Sequence, residues 1–305
     1  VNIRRVRNAD ADAIWAIFHA IVAGRDTYAF APDTPREVGV GYWFGPDVTG
    51  FVAEFDGRVA GMSKLVPNRP DLGGHVANAS FMVAPSAAGR GVGRALGTHC
   101  LREARAQGYD AMQFNFVVST NTRAVELWKQ LGFSIVGTLP RAFQHGSLGL
   151  VDAYVMHRFL DDIVLTFGTG PGEAATAVRP SAYAVVPNAA GAIAIVEGEE
   201  AVMLPGGGVD ANESSAAAVI REVAEECALA IRVTTGLGEA VQFVHSAKKA
   251  THFEKRSSFV AAEIVAEIPR TPDHVTRWLS CAAAIDTVSY ESHAWALKRW
   301  ARLNT

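Results

Sequence analysis

Residues 204–229 read LPGGGVDANESSAAAVIREVAEECAL, and this stretch decides the second half of the chain. Gly206-Gly207-Gly208 make a turn after the apolar Val202-Met203-Leu204. Glu213, Ser214 and Ser215 follow, acidic and capping residues of the kind that favour a helix start. Ala216, Ile220, Val223 and Cys227 then fall at i, i+4, i+7 and i+11, which predicts one buried helical stripe. Glu222, Glu225 and Glu226 stand at i, i+3 and i+4, so their carboxylates share another face. Like charges at that spacing repel, and a helix built for stability alone would interleave lysine. A hard divalent cation, Mg²⁺ or Mn²⁺, turns the same cluster into a site, because it takes oxygen ligands.

Working outward, the whole sequence has 305 residues, enough for about two domains. A hydrophobic content of 49% with 19% charged residues describes a folded globular protein rather than a disordered one. The net charge of −3 speaks against a surface built to coat nucleic acid. No apolar run reaches membrane-spanning length, and Asp10 and Asp12 interrupt the segment after Arg4, Arg5 and Arg7, so no secretory signal is expected. Cys100, Cys227 and Cys281 are far apart and odd in number, which predicts reduced thiols and a cytoplasmic protein. Small molecules are the expected partners; the sequence does not specify an oligomeric state.

The 204–229 spacing resembles the Nudix box of MutT-like hydrolases, G-x5-E-x7-R-E-U-x-E-E-x-G-U with U aliphatic. Gly207, Glu213, Arg221, Glu222, Val223, Glu225, Glu226 and Leu229 meet it, and Ala228 stands where the family has its helix-ending glycine. The resemblance implies an α/β/α sandwich over 179–305. It also implies a metal held by Glu222, Glu225, Glu226 and the Gly207 carbonyl, and hydrolysis of a nucleoside diphosphate linked to another group. Arg221 would then orient the carboxylates by ion pairing and Glu213 would brace the loop. Lys248, Lys249, Lys255 and Arg256 are candidates to neutralise a pyrophosphate, or else an exposed basic loop, and Glu254 and Glu263 are candidate additional participants. Trp295 and Trp300 sit at helical spacing that favours core packing, and Trp278 is free to stack a base.

The first half alternates strands and helices. Residues 2–7 predict a strand, and Asn8 or Asp10 caps a helix carrying Ile14, Ile17, Phe18 and Ile21. Thr34-Pro35 predicts a second helix start. Phe51–Phe55, the turn Asp56-Gly57 and Val59–Met62 read as a hairpin. The run His75–Val83 leads through Gly89-Arg90-Gly91-Val92-Gly93-Arg94 into a helix bearing Val92, Leu96 and Cys100. A strand, a glycine turn and a helix N-terminus gather unpaired amides where a phosphate can approach closely. Ala111–Val118 is a second strand, and Asn121 caps a helix that stops at Gly132.

These segments resemble the GNAT N-acetyltransferases, whose pyrophosphate loop is R/Q-x-x-G-x-G/A and whose later segment is N-x-x-A-x-x-x-Y-x-x-x-G-F. Gly91, Gly93, Asn121, Ala124, Gly132 and Phe133 fit; Ala88 replaces the Arg or Gln, and Trp128 replaces the tyrosine that often protonates the departing thiolate. The resemblance implies a mixed sheet with flanking helices over 1–165. It also implies acetyl-CoA as co-substrate, held by the amides of Gly89 to Arg94, the Val83 backbone and Asn121. HVANASFMV with FNFV is most similar to the branch of the yeast proline-analogue acetyltransferases, which would place Asn78 and Asn115 in the acceptor pocket. No Asp or Glu lies within His75–Val83.

A Gly-rich, small-residue stretch at 166–178 is read as the linker, and the whole as an α/β (α+β) chain of two enzymes in tandem. The alternative makes one half, the acetyltransferase-like one first, a ligand sensor that regulates the other.

Overall fold

In a computed structural model the described residues are 1–45, 47–172, 176–248 and 250–304. They form two compact units, 1–105 with 109–160, and 106–108 with 161–305. No described helix is long and apolar enough to cross a membrane.

The first unit opens with β1 (Asn2–Arg5), a short 3-10 turn, α1 (Ala11–Ala23) and α2 (Arg36–Gly41). The hairpin β2 (Thr49–Phe55) and β3 (Arg58–Pro67) turns at Asp56 and Gly57, both at positive φ, as the Asp-Gly pair requires. Then come β4 (Val76–Val83), α3 (Val92–Ala106), β5 (Ala111–Val118), α4 (Thr122–Gln130), β6 (Ser134–His145) and β7 (Gly149–Phe159). The sheet runs β1-β2-β3-β4-β5-β7-β6. Ile14 and Phe18 of α1 pack with Val52, Met62 and Met82 in one core, while Val92 and Leu96 of α3 pack with Ala53 and Ala60 in another. Alternating strand residues thus face helices on the two sides of the sheet.

Two local expectations change here. Asp10 precedes α1, but its carboxylate accepts from Arg4 and the Arg7 amide rather than capping that helix. Pro35, not Thr34, is the N-cap of α2, and the Thr34 hydroxyl donates to the Ala31 carbonyl. In both cases a stronger partner nearby captures the side chain.

The second unit contains β8 (Leu165–Phe167), β9 (Thr176–Val185), β10 (Ile193–Glu197), β11 (Val202–Met203), β12 (Gly206–Gly208), α5 (Ser215–Cys227), β13 (Leu229–Ser246), β14 (Thr251–Glu267), β15 (Val275–Leu279), α6 (Cys281–Thr287) and α7 (Glu291–Leu303). Its sheets run β12-β9-β14-β13-β8 and β11-β10-β15. Ala182, Ala184 and Val186 pack with Ala218, Val219 and Val223 of α5, whereas Tyr183 and Val185 pack with Trp295, Ala296 and Leu297 of α7. Neighbouring residues of β9 therefore serve opposite cores, which makes this unit a sandwich of helix, sheet and helix.

Leu165–Phe167 lie at the edge of the stretch read as linker, yet they pair in parallel with β13. Residues 173–175 of that stretch, and Lys249, fall outside the described residues. The three cysteines are free thiols, Cys100 and Cys227 buried.

Candidate functional site

In the second unit the Ser214 hydroxyl accepts from the Ala217 amide and starts α5. At its other end Ala228 adopts φ 56° and ψ 37°, the left-handed conformation that a glycine takes without strain. The buried stripe keeps Val223 and Cys227 of the expected one but not Ala216 or Ile220. Ala218, Val219, Val223, Glu226 and Cys227 face inward, while Ala216 is exposed and Ile220 is 42% exposed. In so Ala-rich a helix the apolar spacing fits more than one face. The strand packing selects the face that brings Glu226 to the glycine turn.

Glu226 is buried, and its Oε2 accepts the Gly206 amide at 2.9 Å. Burial pushes its carboxyl up to about 7; the Gly206 bond opposes this, while the charges of Glu222, Asp273 and Glu225 add to it. Arg221 binds Glu213 through two bonds of 3.0 Å, Glu222 at 2.8 Å, Glu225 at 3.3 Å and the Gly208 carbonyl at 3.1 Å. Glu213 also accepts the Asp210 amide at 3.1 Å, which ties the loop to the helix. Its carboxyl is held below the usual range, first by Arg221. Gly207 lies so close to Glu222 that a Cβ there would sit 2.5 Å from the carboxylate carbon. Any side chain at 207 would displace the carboxylate.

Among the described residues, no group of three or more His, Cys, Asp or Glu side chains is already gathered around a metal position. Arg221 occupies the middle of the acidic face instead. The donor set nonetheless fits a hard cation. The Glu222 carboxylate lies against the Gly207 backbone, and the buried Glu226 carboxylate lies against the Gly206 amide, oxygen donors of the kind such a cation takes. Glu254 and Glu263 pair with Arg256 and Arg232.

In the first unit the parallel pairing of β4 and β5 holds only at Val76–Ala111 and Ala77–Met112. Beyond those positions the strands part. The β5–β7 register shifts between Phe114 and Val117, a bulge that turns Asn115 and Phe116 away from regular pairing. A cavity of about 380 Å³ fills the opening, lined by Asn78, Ser80 and Phe81 of β4, Asn115 of β5, and Tyr28 and Tyr42. A second cavity of about 570 Å³ runs along Val83, Gly89, Gly91, Val92, Gly93 and Arg94. The two share Phe81, Asn121, Ala124 and Trp128, so they meet at the parted strands.

Gly89 and Gly91 take φ of 83° and 81°, and no heavy atom lies within 4 Å of a Cβ built on Gly91. The amide of Ala95 reaches the Gly91 carbonyl at 3.0 Å, the bond that opens α3. Amides ahead of it on the helix lack intrahelical acceptors and face the second cavity. The Asn121 side chain accepts the Ala124 amide at 3.2 Å, so it caps α4 while lining both cavities. Trp128 is buried against Phe81, Phe114 and Phe133.

Asn78 and Asn115 come together through a residue the sequence did not single out. Asn68, just past β3, accepts from Asn78 at 3.2 Å and from Asn115 at 2.7 Å, and Gln113 donates to Asn115 at 2.8 Å. Each amide nitrogen carries two hydrogens, so Asn78 and Asn115 each keep one for a ligand. Tyr28 was likewise invisible in the sequence. Its hydroxyl donates to the Phe81 carbonyl at 2.7 Å and accepts the Phe81 amide at 3.0 Å, pinning β4 where it leaves β5. Burial raises its phenol above the usual range. No carboxylate, histidine, lysine or arginine lines the cavity between the parted strands among the described residues.

The comparisons with known proteins agree with this geometry. The acetyltransferase (GNAT) family matches residues 15–133, and the NUDIX domain matches residues 177–301. The chain belongs to the GNAT family through its first unit and carries a Nudix domain in its second; both are enzyme domains. A GCN5-related N-acetyltransferase from Kribbella flavida is 46% identical, covering 52% of this chain and 96% of its own, with a TM-score of 0.50. N-acetyltransferase aca1 of Schizosaccharomyces pombe is 32% identical over 111 residues, 36% of this chain. The match spans 53% of that yeast protein's length.

Proposed function

We propose that the first unit moves the acetyl group of acetyl-CoA to a small amine or imino acid. The second, in this reading, hydrolyses a nucleoside diphosphate-linked substrate with Mg²⁺ or Mn²⁺. The observation that supports the transferase reading best is the junction of the two cavities at Phe81 and Trp128. A donor lying along Gly89, Arg90, Gly91, Val92, Gly93 and Arg94, with Val83 and Asn121 beside it, reaches the acceptor at that junction. Asn78 and Asn115 orient the acceptor with their remaining N–H groups, and Asn68 fixes both amides. A C–N bond forms and the thioester C–S bond breaks: the amine nitrogen attacks the carbonyl carbon, the thiolate leaves, and the proton that the nitrogen sheds passes to the thiolate or to water. A free thiol of ordinary pKa, about 8.5, is an adequate leaving group without a general acid, so positioning supplies most of the rate.

Among the described residues no carboxylate, histidine, lysine or arginine lines that cavity, so in this reading the acceptor enters as the free amine. Acceptor kcat/KM should therefore rise with pH and level off at the acceptor's own amine pKa, shifting from one acceptor to another. A fixed plateau shared by all acceptors would point to an enzymic base and count against this scheme. Proline-like imino acids head the panel. Acetyl-CoA binding in a titration without thiol release over the whole panel would favour the sensor reading instead.

In the second unit Glu222, Glu225, Glu226 and the Gly207 carbonyl would hold the cation. When bound, it would neutralise phosphate oxygens and acidify water. Arg221 and Glu213 act through the loop: they fix its distance from the helix and keep the carboxylates oriented. Phosphate release from nucleotide sugars, ADP-ribose, dinucleoside polyphosphates and oxidised deoxynucleotides, with and without Mg²⁺, tests this reading directly.

A further inference from the structure

On one helix the spacing of His245 and His252 would leave them two turns apart, and on one strand it would send them to opposite faces. The tertiary structure instead folds the chain between them. β13 and β14 pair antiparallel with His245 directly opposite His252, one residue pair before Ser246 and Thr251 and the turn. Side chains so opposed leave the same face of a sheet. The two ring centres lie 4.6 Å apart, with 49° between the planes. His245 is exposed and His252 half-buried. Among the described residues no hydrogen bond or ion pair engages either ring.

That separation is the one a shared ion imposes. A transition-metal ion about 2.0–2.1 Å from an imidazole nitrogen lies about 3.2 Å from the ring centre. Two rings on one ion then have centres about 4.5 Å apart for a right angle at the metal, and about 5.2 Å apart for a tetrahedral one. The observed spacing falls within this range, and the angle between the planes sets the pair apart from face-to-face stacking. The terminal torsion of histidine is soft, so turning one nitrogen of each ring towards a common point costs little.

The surroundings select the class of ion. Glu254, two positions along the same face, is held by Arg256 at 2.7 Å, and Phe243 stands opposite it. Two imidazoles without a carboxylate match Mg²⁺ or Mn²⁺ poorly, since those ions take oxygen, and match Zn²⁺, Ni²⁺ or Cu²⁺ well. The pair also lies apart from the acidic centre. Gly207, against which Glu222 rests, shares a register with Ser258 through Ala182. His252 is six positions earlier in β14, about 20 Å along the strand.

We propose that His245 and His252 form a metal site distinct from the acidic centre, a two-histidine chelate on the β13–β14 ribbon that takes a transition-metal ion, with water completing its coordination. It does not depend on the hydrolase reading, and the ion it takes is not the one that reading calls for. The two ligands flank a short turn, so closing that loop gains little entropy and the ion stabilises the unit through its own binding.

The test uses the full chain free of any histidine tag, with excess Mg²⁺ to fill the carboxylates, titrated calorimetrically with Zn²⁺ and with Ni²⁺. Wild type should take up one ion per chain in the micromolar range, and its melting temperature should rise with ion concentration. His245→Gln and His252→Gln should each weaken binding by at least about ten-fold. The double variant should bind no more weakly than either single one, because a single imidazole cannot chelate. With Cu²⁺, nitrogen hyperfine couplings in pulsed electron spin resonance should report two imidazoles in wild type and fewer in each variant. Unchanged melting without metal shows that the variants fold. Wild-type affinity no tighter than that of the double variant overturns the site. A loss confined to one of the two single variants overturns the chelate as well, since the ion then rests on one histidine and other groups.

Discussion

The two candidate sites handle polarity in opposite ways. The candidate site between the parted strands of the first unit is neutral: Asn78 and Asn115 tied to Asn68 by hydrogen bonds, two tyrosines, and aromatic walls. The candidate site of the second is crowded with charge, three glutamates paired with Arg221 and a fourth, Glu226, buried against the Gly206 amide. A neutral site discriminates by the direction of hydrogen bonds and by shape, and tolerates loss of a single amide. A charged site works by concentrating field, so removing one charge changes every neighbour.

The largest expected effect is Glu226→Gln. The variant keeps an oxygen for the Gly206 amide but removes a buried charge, and phosphohydrolase activity should fall by about a hundred-fold or more, the range for loss of a group acting in the chemical step. Acetyl-CoA affinity should not move. Melting of the metal-free protein should hold or rise, since burial already pushes this carboxyl up to about 7. A melting curve with and without Mg²⁺, beside phosphate release, checks all three; full activity in the variant would break the contrast between the sites.

Next comes Gly91→Asp in the phosphate loop, expected to weaken acetyl-CoA binding by more than about ten-fold. The positive φ strains any side chain there, so Gly91→Asn, which tolerates that conformation and carries no charge, separates strain from repulsion. Equal loss in both variants would mean that backbone geometry, not charge, governs the loop.

A smaller effect should follow from Asn68→Ala. It frees Asn78 and Asn115 to rotate, and two hydrogen bonds at about 0.5–1.5 kcal/mol each predict a several-fold rise in acceptor KM with acetyl-CoA affinity retained. Asn115→Ala should do more, because it removes a group in the cavity itself. A loss in acetyl-CoA affinity matching the rise in acceptor KM would assign Asn68 to the scaffold.

The smallest is Ala228→Gly at the end of α5. Relief of the left-handed conformation, less the entropy that glycine adds to the unfolded chain, should stabilise the second unit by about 1 kcal/mol, read as a higher denaturant midpoint at unchanged slope.

What could be read in advance differs between the sites for a physical reason. Within one helix, residue spacing fixes which side chains are neighbours, so Arg221 with Glu222 and Glu225 was legible as a group, and a capping serine and glycine turn were legible beside them, whereas Glu226 turned out to lie on the buried face. The glycine loop before α3 and the Asn121 cap were equally local. Sequence alone also determined two enzyme-like halves of mixed α and β structure. Tertiary structure decided the rest. It chose which face of α5 is buried, because an Ala-rich helix offers several and only sheet packing brings Glu226 to Gly206. It brought Asn68 to Asn78 and Asn115 across the parting of β4 from β5, where the register simply ends. It set His245 opposite His252 by antiparallel pairing around a turn. Strand register depends on both partners and on the faces they bury, so no single segment carries it.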